Sequence, residues 1–223
     1  CEYACTFISS TDLPDTEGID ANCDGIDGDI DRSIFVARSV NGGNDENDGR
    51  NPASPVATIA QAITLADACP ERCDVLISAG TYTDSVTLRS GVDLYGGYDP
   101  ITWAHDIDAH ESIIVGDTTR AVIANGLTAV TVLSGLTIRG NSYTSRGTST
   151  YGLWIHNVDD NLLLVENARI EAGNAGAGAN GNNGSNGGTG NPGNTATGRN
   201  GASGGTGLCG TNGGSGGSSR DCG

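Results

Sequence analysis

The 223-residue chain carries 27 acidic and 11 basic residues, for a formal net charge of -16, and every basic residue is an arginine. That charge argues against nucleic acid and anionic membrane surfaces, which demand a basic patch, and makes cations the natural partners. With no lysine there is no lysine base, Schiff-base former or lysine phosphate ligand, and with no methionine the chain is expected not to begin at a natural start.

Residues 1–32 are acidic, dotted with glycine and aspartate, and lack a sustained hydrophobic period, so they read as a ligand-organised loop module. Within it, DANCDGIDGDID places Asp20, Asn22, Asp24, the Ile26 carbonyl, Gly28 and Asp31 at the alternating positions of an EF-hand-type loop, with Gly25 at the turn. Calcium takes hard oxygens from alternate side chains around such a turn, so a calcium site is expected here. The loop ends in Asp31 where a full EF-hand has Glu, and no helical pattern flanks it. A second acidic run, Asn44, Glu46 and Asp48 before Gly49, reads as a turn.

Ser33 to Arg38 reads as a strand and Asn41 to Arg50 as a turn-rich loop. Pro55 then opens an amphipathic helix over 56–68, with Ile59, Ala62, Ile63 and Ala66 on one stripe. From Asp74 onward the pattern changes to short β runs. SGVDLYGG at Ser90 aligns with SGLTIRGN at Ser134, ESIIVGD at Glu111 falls between them, and ENARIEAG at Glu166 follows. Units this short cannot bury an apolar face alone, so they must stack, and Val92, Leu94, Leu136, Ile138, Ala168 and Ile170 are expected in aligned interior columns. The polar stretch Asn141 to Thr150 reads as an insertion between copies.

Beyond residue 175 glycine recurs every third residue, from Gly178 to Gly193 and, after a slip, from Gly198 to Gly216. Three residues is the period of an extended polyproline-II-type helix, and glycine at each third position leaves one edge bare for neighbouring backbones. Proline is too scarce for collagen. The pattern resembles the polyglycine-II bundles of some antifreeze proteins and phage adhesins, against the alternative of a flexible linker. The expected organisation is therefore 1–32, 33–175 and 176–223.

The cysteines fall in short local spacings, without the histidine or CxxC partners of a zinc site, and point to disulfides in an oxidising compartment. Cys5 with Cys23, Cys69 with Cys73 and Cys209 with Cys222 is one pairing, with Cys1 left for an upstream partner or a lipid anchor; the sequence does not determine connectivity. No stretch of about twenty apolar residues is present to span a membrane.

The run from Ser33 through DVLISAGTYTDSVTL resembles the N-terminal cap and first coil of right-handed parallel β-helix proteins of the pectate-lyase-like class, and the resemblance extends over residues 33–175. CEYAC through NCDGIDGD is similar to Cys-bracketed DxNCDG metal-binding repeats of bacterial surface proteins. Together these imply a mainly β fold: a right-handed parallel β-helix with a capping helix, then a polyglycine-II-like bundle. The implied function is a secreted or cell-surface structural and binding scaffold, calcium-stabilised and part of a larger protein, whose partners are calcium and a surface polysaccharide or a second copy. Two alternatives stand beside it. A carbohydrate-active β-helix would use charged residues on one face, where Arg89, Arg139 and Arg169 recur with Asp93 and Glu171, and Tyr95, Tyr98 and Trp103 would stack on sugar or pack a loop. An ice-binding protein would need a threonine ladder. His105, Asp106, Asp108 and His110 read as a polar loop rather than a metal site.

Overall fold

The computed structural model describes residues 5–70, 72–184 and 188–195. It divides into two compact units, Cys1–Ala179 and Asn180–Gly223. In the second unit the described residues form neither helix nor strand.

The first unit is mainly β. Its strands are β1 (Ser33–Val36), β2 (Asp74–Ser78), β3 (Gly80–Thr83), β4 (Val86–Thr87), β5 (Leu94–Tyr98), β6 (Ser112–Val115), β7 (Arg120–Asn125), β8 (Thr131–Ser134), β9 (Leu136–Arg139), β10 (Tyr151–His156), β11 (Leu163–Glu166) and β12 (Arg169–Glu171). All of their pairings are parallel. They form three sheets, ordered β1-β2-β5-β8-β11, β3-β6-β9-β12 and β4-β7-β10. From β2 to β12 the chain visits the first, second and third sheet in strict rotation, so each strand pairs with one laid down a full cycle earlier.

Period-two alternation turns one side chain of each pair toward the space between the sheets. Register then builds apolar columns: Tyr82, Ile114, Ile138 and Ile170 in the second sheet, and Val86, Val122 and Leu153 in the third. Ile34, Val75, Leu94 and Leu133 make the corresponding column of the first sheet. Most of these side chains are fully buried in one continuous core. Leu94 therefore aligns with Leu133 and not, as the repeat suggests, with Ile138; the Ser90 copy lies in the first sheet whereas the Glu111, Ser134 and Glu166 copies lie in the second. Cycle length varies, taking the first sheet from Val75 to Leu94 and then from Leu94 to Leu133, and a uniform period does not survive that variation.

Helix α1 (Ile59–Asp67) buries Ile59, Ala62, Ile63 and Ala66 and packs on β1, β2 and β4. Thr58 caps it, its hydroxyl accepting from Gln61 N at 3.3 Å. It begins later than the expected 56–68 because Val56 is taken by β1: Val56 N donates to Phe35 O and Ala37 N to Val56 O. A disulfide between Cys69 and Cys73 ties the helix end to β2.

Over β1, β2 and β5 the first sheet is buried on both sides. Every residue of β5 is buried, including its outward-facing ones, because residues 5–32 lie over that face. Glycine permits the close approach of the acidic segment: a Cβ on Gly18 would collide with His105 O. Among the described residues no helix is long and apolar enough to cross a membrane.

Candidate functional site

The outer face of the first sheet presents Phe35, Leu76, Tyr95 and Tyr98, joined by Ala37, Trp103 and Ile26 in a second hydrophobic cluster. Phe35 and Trp103 meet edge to face at 4.8 Å, and Trp103 Nε1 donates to Pro52 O. Residues of the acidic segment close over this cluster, with Ile26 inside it and Gly28 packed on Leu76, Pro14 and the Tyr98 hydroxyl. Tyr95, Tyr98 and Trp103, named above as sugar-stacking candidates, are 6%, 0% and 3% exposed, so protein already covers their rings.

The segment is held by carboxylates that accept from its own backbone. Asp20 accepts from Asp24 N and Gly25 N, at 3.1 and 2.8 Å. Asp24 accepts from Ile26 N, Ile30 N and Asn22 Nδ2. Asp12 accepts from Ala21 N and Gly28 N, Asp29 from Asp31 N, and Asp27 from Asp15 N. The Cys5–Cys23 disulfide closes the loop. Turns at Gly25 and Gly28 use φ of 109° and 117°, which only glycine adopts without strain.

These bonds bear directly on calcium. Of the expected ligands, Asp20, Asn22 and Asp24 come together but bond one another's N–H groups, Ile26 is buried in the aromatic cluster, Gly28 turns to the sheet and Asp31 sits in a 3-10 turn over Ile30–Arg32. Among the described residues no three His, Cys, Asp or Glu side chains are grouped to hold a metal ion. A calcium shell needs six to eight convergent oxygens, and in this arrangement the Asp20, Asn22 and Asp24 side chains are turned toward N–H groups of their own loop.

One buried ion pair fastens the segment to the sheet. His105 Nε2 donates to Gly96 O at 2.9 Å while Nδ1 faces Asp27 Oδ2, so both ring nitrogens meet acceptors. Their side chains are 5% and 1% exposed. Burial pushes His105 down, but the Asp27 hydrogen bond and charge, with the Gly96 carbonyl, outweigh it and hold His105 above its ordinary value. Burial raises Asp27, and His105 draws it back only in part. The Tyr98 ring stacks on His105 at 4.4 Å, and its hydroxyl donates to Asp27 O at 2.8 Å.

Further along the same junction a cavity of about 340 Å³ is lined by Asp12, Asp29, Arg32, Arg72, Asp74 and Asp93, with Thr11 and Leu13. Arg72 is paired to Asp93, which also accepts from Val132 N. Burial, reinforced by Asp93 and opposed by Arg72 and Arg32, raises Asp74 to about 7; burial raises Asp12 to about 6 against the N–H groups of Gly28 and Ala21.

The outward charges of the second sheet also pair internally. Arg139 bonds Glu171 at 2.9 Å, Thr137 donates to Glu111, and Arg169 pairs with Glu171. Arg89 is not part of this group, and Asp93 lies with Arg72. The outward column Thr81, Ile113, Thr137, Arg169 interrupts any threonine ladder. Two features were not foreseen from the sequence: the Asp27–His105 pair, and a stack in which the Arg120 guanidinium lies 3.9 Å over Trp154, itself parallel to His156 at 5.1 Å. Cys1, Cys209, Cys222 and most of the glycine register lie outside the described residues.

No protein-family model, curated protein or solved structure matches this chain.

Proposed function

We propose that the chain is an extracellular or cell-surface scaffold: a right-handed parallel β-helix with α1 as its cap at the β1 end and the acidic segment clasped over one face. The observation that carries this reading is the rotation of parallel strands through three sheets around one apolar core. Disulfides at Cys5–Cys23 and Cys69–Cys73 support an oxidising compartment. The charged groups on the faces serve structure, being spent on one another and on backbone N–H groups. A surface polysaccharide or a second copy is the partner such a scaffold would present itself to. Fractionating the producing cells and probing the intact surface with antibody tests the reading; retention of the protein in the reducing cytoplasm would overturn it.

A second reading, a carbohydrate-active β-helix, is favoured by one feature, a cavity of about 460 Å³ beside Glu111, Thr137 and Arg169 on the second sheet. Release of reducing or unsaturated ends from a polysaccharide panel would establish it. For residues 176–223 polyglycine-II packing is the finer reading, with the exposed stretch 180–184 outside the bundle's hydrogen-bonded contacts. Its support is the three-residue register together with Gly173 and Gly176, where a Cβ would collide with Asn141 O and Ser145 O, and where Gly176 N donates to Thr148 O.

A further inference from the structure

Four Asn–Gly steps lie within the described residues: Asn41–Gly42, Asn125–Gly126, Asn180–Gly181 and Asn183–Gly184. Such a step can react with itself. The glycine backbone nitrogen, its proton removed by hydroxide, attacks the asparagine Cγ; a C–N bond forms, the Cγ–Nδ2 bond breaks, and ammonia leaves from a five-membered succinimide. Water then opens the ring at either carbonyl, giving aspartate or iso-aspartate. Glycine favours the attack because it has no Cβ to crowd the ring and its backbone turns freely.

The structure separates the four into two kinds. Gly42 N donates to Ser39 O at 3.2 Å, and Gly126 N donates to His156 O at 3.0 Å, so each nucleophile is engaged. Asn125 is held as well, its Oδ1 lying 3.1 Å from His156 Nδ1. Residues 180–184 are all exposed, a Cβ at Gly181 or Gly184 would meet nothing within 4 Å, and among the described residues neither glycine N–H has an acceptor. We propose that Asn180 and Asn183 are sites of spontaneous conversion to aspartate and iso-aspartate, with water as the co-reactant.

The conversion would matter to this segment more than to any other. Residues 173–223 hold one acid and two arginines, so each event adds a negative charge to a nearly neutral stretch. Iso-aspartate also routes the backbone through an extra carbon and so breaks the three-residue register.

The intact protein is held at mildly alkaline pH, sampled over days and cleaved at arginine, which puts the steps on separate peptides: 39–50 with Asn41, 121–139 with Asn125, and 170–199 with Asn180 and Asn183. Fragmentation that distinguishes iso-aspartate locates the product. Conversion at Asn180 and Asn183 is expected at least about tenfold faster than at Asn41 and Asn125, because a bonded amide must first open locally. The difference should vanish in denaturant, where all four share the same dipeptide chemistry. Equal native rates would overturn the proposal. So would protection of Asn180 and Asn183 to the level of Asn125, the result that a polyglycine-II bundle engaging those amides would give.

Discussion

The two hydrophobic clusters of the first unit share the five-stranded sheet and are built on opposite principles. Between the sheets, Ile34, Leu94, Leu133 and Ile138 stack in columns and depend on burial alone. On the outer face, Phe35, Tyr98 and Trp103 are roofed by an acidic segment whose attachment runs through Asp27, His105 and carboxylates that bond backbone N–H groups. Apolar stacking carries no titrating group, whereas a buried charged clasp depends on the protonation of its members. The interior should therefore set whether the unit folds, and the clasp should set when its outer face is covered.

His105→Ala gives the largest separation of the two. It leaves Asp27 buried without its partner, and loss of a buried partner costs about 3–5 kcal/mol. Proteolysis should then cut within residues 5–32 while the strands persist; unchanged susceptibility would mean that the pair does not hold the segment. Ile138→Ala tests the interior, where truncating a buried isoleucine costs about 2–5 kcal/mol. Denaturant unfolding should shift for the strands and the clasp together, and a shift confined to the clasp would refute the division.

The smaller effect is that of pH. Asp74 and Asp12 have folded values of about 7 and about 6 against an ordinary 3.8. Groups raised in this way contribute stability that is fully present below the ordinary value and is lost as pH rises through the folded one. Melting temperature should accordingly be higher at pH 5 than at pH 8, the reverse of a protein resting on ionised carboxylate pairs. Asp74→Asn should flatten that slope and raise the melting temperature at pH 8; an undiminished slope would place its origin elsewhere.

The division also explains what could be read from the sequence. The stripe Ile59, Ala62, Ile63 and Ala66 announces a helix because its period is local, and the short apolar runs after Asp74 and Ser112 announce strands for the same reason. The helix start was obscured by Val56, whose partner Val36 lies across a loop. Similar turn residues, Ser-Gly, precede strands in two different sheets, so the sequence alone aligns Leu94 with Ile138. Nothing local points to Asp27 and His105, which are 78 residues apart and meet only after the strands are stacked. Alternating acids around Gly25 suit a cation-binding loop and a self-bonded loop equally, and the backbone N–H bonds that these carboxylates accept are invisible in sequence.

Hydrogen exchange across residues 5–32, with chelator and then with added calcium, tests most directly the claim that this segment holds itself in place. The amides of Asp15, Gly25, Ile26, Gly28 and Ile30 donate to Asp27, Asp20, Asp24 and Asp12, so they should be protected as a set with chelator present and change little when calcium is added. Fast exchange in chelator that slows only on adding calcium would contradict the account and make the clasp a cation-organised module.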